Sequence, residues 1–147
     1  MRKITLILFY LLTLTIFGCK ENGQKSSAEL RMELKMQEDK NPMQYLELED
    51  VNMKGNKIKE ASLFSSAKYD GYLVTGQVKN RASIAKYKDL EITVEFYSET
   101  ETLIGSESFI IYEYFEPNST QSISLKIQPP KAMKAFKAGI TGALPAY

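Results

Sequence analysis

The sequence predicts an all-β domain, an antiparallel sandwich of about seven short strands. Three observations predict it. Beyond Asn41 the chain breaks into short runs in which apolar and polar residues alternate, the period of a half-buried strand. Turn-forming residues punctuate these runs at intervals of roughly 10–20 residues. No helix-period segments alternate with the strands, so a parallel βαβ arrangement is not indicated.

Taken in order, Tyr45 to Val51 alternates in part, and Gly55-Asn56 reads as a turn. Tyr72, Val74, Gly76 and Val78 share one face of the next strand, which Asn80 ends at a turn. Leu90, Ile92, Val94 and Phe96 alternate with Glu91, Thr93, Glu95 and Tyr97, the clearest half-buried strand of the chain. Ser98 to Thr102 is a polar turn. Phe109 to Phe115 is apolar enough to expect burial on both faces. In Glu116-Pro117-Asn118-Ser119, proline fixes φ at the second position of a β-turn. Ile123, Leu125 and Ile127 form another alternating strand, closed by Pro129-Pro130. Phe136, Ala138, Ile140, Gly142 and Leu144 are expected on one side of a final strand. Residues 42–147 thus have the size of one immunoglobulin-like sandwich, about 100 residues. The core must be aliphatic and Phe/Tyr, because the chain has no Trp and its one Cys lies elsewhere.

The N-terminus reads as an address. Arg2-Lys3 precede an uncharged apolar run from Ile4 to Phe17. A helix needs roughly 20 residues to span a bilayer, so this run is short for an anchor and fits a secretory signal over residues 1–18. The only Cys follows at once, in Ile16-Phe17-Gly18-Cys19. This resembles the lipobox of bacterial lipoproteins, with an aliphatic residue three positions before the Cys and Gly just before it. Phe17 departs from the smaller residue usual between them. The resemblance implies lipid attachment at Cys19 and cleavage before it. Acyl chains contribute about 0.8 kcal/mol per buried CH₂, enough to hold a protein on a membrane without a spanning helix. Lys20-Glu21 resemble the charged residues that follow the Cys in surface-exported lipoproteins of Bacteroidetes-type bacteria. The implied location is the outer membrane. Removing Arg2 and Lys3 with the signal changes the formal charge from +1 to −1.

Residues 19–41 read as the lipidated N-terminus and a charged tether. Its flexible part would reach about 25 Å. Ala28 to Gln37 gives conflicting signals. The apolar period is two, as in a strand, but the residue types are helix formers. Like-charged pairs Glu29/Glu33 and Arg31/Lys35 weaken a helix, so a partly helical tether is expected.

Within the domain, Val74-Thr75-Gly76-Gln77-Val78-Lys79-Asn80 carries the pattern V-x-G-x-V-x-N. Together with Tyr87-Lys88-Asp89-Leu90, Val94-Glu95-Phe96-Tyr97-Ser98 and Glu116-Pro117-Asn118-Ser119, it resembles the FxLYD-type immunoglobulin-like domain of bacterial and archaeal envelope proteins. The naming motif is degraded and keeps only Tyr97. Asn41-Pro42-Met43-Gln44-Tyr45-Leu46 and Ala85-Lys86-Tyr87-Lys88-Asp89 also resemble segments of small Bacteroidetes lipoproteins. These resemblances imply a β-sandwich. They imply no reaction, cofactor or ligand.

Composition excludes much chemistry. The 147 residues include no His, which removes a Ser-His-Asp triad, a His proton shuttle and His metal ligands. One Cys excludes an intrachain disulfide, a Cys₄ zinc site and an Fe–S cluster. A net charge of +1 gives no basic footprint for nucleic acid. Glu91 and Glu95 share a strand face about 13 Å apart, beyond the roughly 5–9.5 Å of glycosidase carboxylate pairs. Ser98 to Thr102 lacks the alternating Asp/Asn and Gly of a calcium loop. Asn118-Ser119-Thr120 matches a glycosylation sequon but reads as turn chemistry. The chain is therefore expected not to be an enzyme and to need no cofactor or metal.

Nine Tyr and seven Phe are many for this length, densest at Tyr112-Glu113-Tyr114-Phe115. Core packing and cross-strand pairing account for such a cluster. The functional reading is a contact patch on Tyr112 and Tyr114, since Tyr offers rigid amphipathic area. The expectation is a lipid-anchored envelope protein acting as an interaction or structural module at the outer membrane, with an envelope protein as partner. The alternative is a small-ligand or glycan-binding accessory lipoprotein of an uptake system, which requires a concave site carrying several Tyr residues.

Overall fold

The computed structural model describes residues 25–147. The expected signal segment 1–18 and Cys19 lie outside the described residues. Two compact units divide between Arg31 and Met32. The described part of the first carries a capping box: Ser26 Oγ accepts the Glu29 N–H (3.2 Å) and Glu29 Oε2 accepts the Ser26 N–H (2.7 Å). The bonds that Ser26 donates to the Glu29 carboxylate, from its N–H and from its hydroxyl (3.0 Å), hold that carboxyl below its usual pKa range. They start helix α1 (Ser27–Lys40), which runs into the second unit. There Lys35 and Asp39, four residues apart, form an ion pair at 2.7 Å. Helix-forming residue types thus prevail over the strand-like period of two. That period instead leaves Met32 and Met36 exposed on the helix.

A short 3-10 turn (Pro42–Gln44) leads into six strands: β1 (Leu46–Lys59), β2 (Lys68–Asn80), β3 (Lys86–Tyr97), β4 (Leu103–Phe115), β5 (Ser119–Ile127) and β6 (Ala135–Ala146). They form two antiparallel three-stranded sheets, ordered β1-β2-β5 and β4-β3-β6. The arrangement is all-β and sandwich-like. One core joins the two sheets: Val74, Val78, Ile123, Leu125 and Ile127 from the first, and Leu90, Ile92, Val94, Phe96 and Phe115 from the second. Full burial of each such side chain contributes about 1.5–3 kcal/mol.

The alternation read in Leu90–Phe96 and Ile123–Ile127 holds residue by residue. Four expectations change. Among the described residues there are six strands rather than about seven, and Gly55-Asn56 lies inside β1 instead of making a turn. The ladder to β2 resumes past the glycine, from Gly55↔Tyr72 to Lys57↔Tyr69, and the Tyr69 ring lies 2.9 Å from where a Gly55 Cβ would stand. Third, β4 is not buried on both faces. It is an edge strand whose outer face, including Ile110, Tyr112 and Tyr114, is exposed. Fourth, Leu144 does not share a side with Phe136, Ala138 and Ile140. The register passes from Ile92↔Ile140 to Glu91↔Gly142, so β6 carries one extra residue. That bulge reverses the parity, turning Ala143 inward and Leu144 outward.

Two further bulges shape the sheets. Asp89 adopts φ 50°, which lets Tyr87 and Leu90 both face the core despite their odd spacing. In β1, Asp50 adopts φ 51° and the ladder to β2 skips from Glu49↔Gln77 to Asn52↔Thr75. Gly76 lies opposite this bulge. A Cβ there would sit 3.2 Å from the Glu49 carbonyl oxygen, which explains the glycine of the V-x-G-x-V-x-N segment.

Candidate functional site

The most constrained polar feature is the loop between β2 and β3. Asn80 is buried at the end of β2. Its Nδ2 donates to the carbonyls of Ala85 and Phe115, both at 3.0 Å, and its Oδ1 accepts the Ala82 N–H at 2.9 Å. One side chain therefore shapes the loop and ties β2 to β4 of the other sheet. The loop turns three consecutive N–H groups toward one point, an anion-binding nest. The carboxylate of Glu38, only 1% exposed, occupies it. It accepts from Ser83 at 2.7 Å, Ile84 at 2.9 Å and Ala85 at 2.7 Å. The Tyr87 hydroxyl donates to the Glu38 carbonyl at 3.0 Å. Burial, reinforced by the Glu38 carboxylate, pushes the Tyr87 pKa far above its usual value.

Side-chain patterns did not single out Glu38. The available signal was its position, because a Glu in the last turn of a helix opposes the helix dipole and needs another partner. The nest is filled by the chain's own carboxylate and acts as an attachment point rather than an open site.

The candidate contact residues stand at the surface. Tyr112 is 79% and Tyr114 58% exposed, while their neighbour Phe115 is buried. Register aligns Tyr114 on β4, Lys88 on β3 and Leu144 on β6. Leu144 is also exposed, as is Ile110 further along β4. Lys86 Nζ lies 4.3 Å from the centroid of the Tyr114 ring and 2.6 Å from Glu116. The result is an open aromatic and aliphatic row with lysines interleaved. It can offer rigid area and cation–π contact to a partner.

Elsewhere on this sheet face, Thr93 Oγ1 bonds the hydroxyls of Ser108 (2.8 Å) and Thr141 (3.1 Å). Tyr97 donates to Glu95 at 2.6 Å, and this bond raises the tyrosine pKa. In the Ser98–Thr102 turn, hydroxyls bond to one another, Ser98 to Thr100 at 3.0 Å and Thr100 to Thr102 at 3.2 Å. Among the described residues no group of three acidic, His or Cys side chains is placed to hold a metal ion. None of their helices is long and apolar enough to cross a membrane.

Open depressions mark the surface of the described residues. One of about 430 Å³ is lined by Asp50, Thr75, Gln77 and Ser122 among others. Another of about 250 Å³ lies beside Tyr97 and Phe136. Neither brings two tyrosines together. The chain matches no family model, no curated protein and no solved structure.

Proposed function

We propose that the chain is a lipid-anchored protein of the bacterial cell envelope, held at the outer membrane through acyl chains on Cys19. Its β domain, immunoglobulin-like in this reading, serves as a non-catalytic interaction or structural module. The anchor rests on sequence: the only Cys follows a short apolar run and a Gly. The observation that carries the interaction role is the exposed row of Tyr114, Lys88 and Leu144 with Tyr112 beside it. Exposed large apolar side chains grouped on one sheet face, rather than scattered, mark contact surfaces. Tyr is also among the residues that dominate binding energy when covered.

The test has two arms. Metabolic labelling with an alkyne fatty acid should mark the natural chain and not Cys19→Ala. A photo-crosslinking residue at position 112 should capture a discrete envelope protein, and one at exposed position 122 on the other sheet should not. Undiminished labelling of Cys19→Ala would overturn the anchor. Identical products from positions 112 and 122 would overturn the interaction surface.

A further inference from the structure

The β1–β2 hairpin extends beyond its sheet. Strand β5 pairs with β2 only from Tyr72 onward, so Lys68 to Gly71 and the facing end of β1 form a two-stranded ribbon. Beyond it the chain closes in a small turn. Ser62 and Ser65 exchange backbone bonds of 2.8 and 3.2 Å, and their hydroxyls meet at 2.8 Å. At the apex stand Leu63 and Phe64, 96% and 98% exposed. A folded chain seldom places two adjacent large apolar side chains wholly in water at the tip of a hairpin. Ile58 and Tyr69, each 61% exposed, lie behind them on the ribbon.

Lysines outnumber acids around this tip. Lys54, Lys57, Lys59 and Lys68 stand against two acids, Glu60, which Lys57 engages at 2.6 Å, and Asp70, which Lys126 engages from β5. Lys59 and Lys68 are direct cross-strand partners. Like charges set opposite each other destabilise a hairpin, and no described acid forms an ion pair with either. In a chain close to neutral, this concentration calls for an external anion.

We propose that the ribbon tip docks on an anionic lipid bilayer, with Leu63 and Phe64 entering the interfacial layer and Lys59 and Lys68 meeting the headgroups. The size of the tip favours a membrane over a protein groove. A stable protein interface buries about 800 Å² on each partner, more than two apolar side chains supply. A bilayer needs only apolar insertion and charge attraction, which add without a shaped partner. This contact is separate from acylation at Cys19 and holds whether or not that anchor exists.

The absence of natural Trp supplies the probe. Full-length chain carrying Phe64→Trp, held in neutral phosphatidylcholine nanodiscs, is titrated with phosphatidylglycerol or phosphatidylcholine vesicles. The Trp emission should shift to the blue with phosphatidylglycerol, and raised salt should weaken the effect. Adding Lys59→Gln and Lys68→Gln should raise the half-point concentration about twenty-five-fold, roughly fivefold for each lysine. Adding Leu63→Ser should raise it about tenfold. Flotation of the unsubstituted chain with the same vesicles checks that Trp itself does not create the binding. An unchanged emission with phosphatidylglycerol, an equal shift with phosphatidylcholine, or failure of the unsubstituted chain to float would overturn the proposal.

Discussion

Glu38 and Ala85 stand 47 residues apart in the chain, yet the Glu38 carboxylate accepts the Ala85 N–H at 2.7 Å. The same carboxylate takes the N–H groups of Ser83 and Ile84, so the end of α1 is fastened to the loop before β3. Replacing it removes the acceptor from three donors at once. Glu38→Ala should lower unfolding free energy by about 3 kcal/mol, read from urea midpoints. The Ser83–Ala85 amides should also exchange faster with solvent. Unchanged exchange in the variant would show that the carboxylate does not hold the loop.

Tyr87 makes the same junction sensitive to alkali. Burial and then the Glu38 carboxylate raise its pKa in the folded chain above the unfolded value, near 10. The folded state therefore holds the proton more tightly. The stability linked to it is complete below about pH 10 and is lost as pH rises beyond that. Denaturation midpoints measured from pH 8 to 11.5 should fall steeply over the upper part. Tyr87→Phe should flatten that fall while costing about 1 kcal/mol at neutral pH for its bond to the Glu38 carbonyl.

Asn80 bridges the two sheets with a side chain that both donates and accepts. Asn80→Asp keeps the shape but sets a carboxylate against the carbonyls of Ala85 and Phe115. Burial leaves that charge with the Ala82 N–H alone against two carbonyls, so a loss of at least about 3 kcal/mol is expected. Asn80→Ala should be milder, at about 2 kcal/mol, because it removes bonds without adding repulsion. Guanidinium titration of both variants checks the order, and an Asp variant as stable as the Ala variant would contradict the geometry.

Two glycines separate necessity from tolerance. Gly71 adopts φ 71°, and a Cβ there would stand 2.5 Å from the Ile127 carbonyl oxygen. Gly139 has no atom within 4 Å of such a Cβ. Gly71→Ala should cost at least about 2 kcal/mol and lower Tm by roughly 8 °C. Gly139→Ala should leave Tm close to that of the natural chain. Thermal melts of the pair test the argument together.

Part of this molecule was legible in its residues. The alternation of Leu90, Ile92, Val94 and Phe96 marked a half-buried strand, because period two is a local property of extended backbone. The Ser98–Thr102 and Glu116–Ser119 turns were legible for a similar reason, since their residues bond within a few positions. The capping box at Ser26 and Glu29 is equally local.

By itself, then, the sequence determined an all-β domain, its main strands, its polar turns and the single Cys at the end of an apolar run. Tertiary structure alone decided which strand became an edge, and so why Tyr112 and Tyr114 meet solvent while Phe115 is buried. It decided the bulge that turns Leu144 outward and the approach of the Tyr69 ring to Gly55, which leaves no room for a Cβ there. It also decided the fate of Glu38, whose partners are backbone N–H groups. Every residue except proline carries such a group, so no side-chain pattern announces where three of them will converge. Alternation is written locally, whereas burial, register and main-chain partners exist only once distant segments have met.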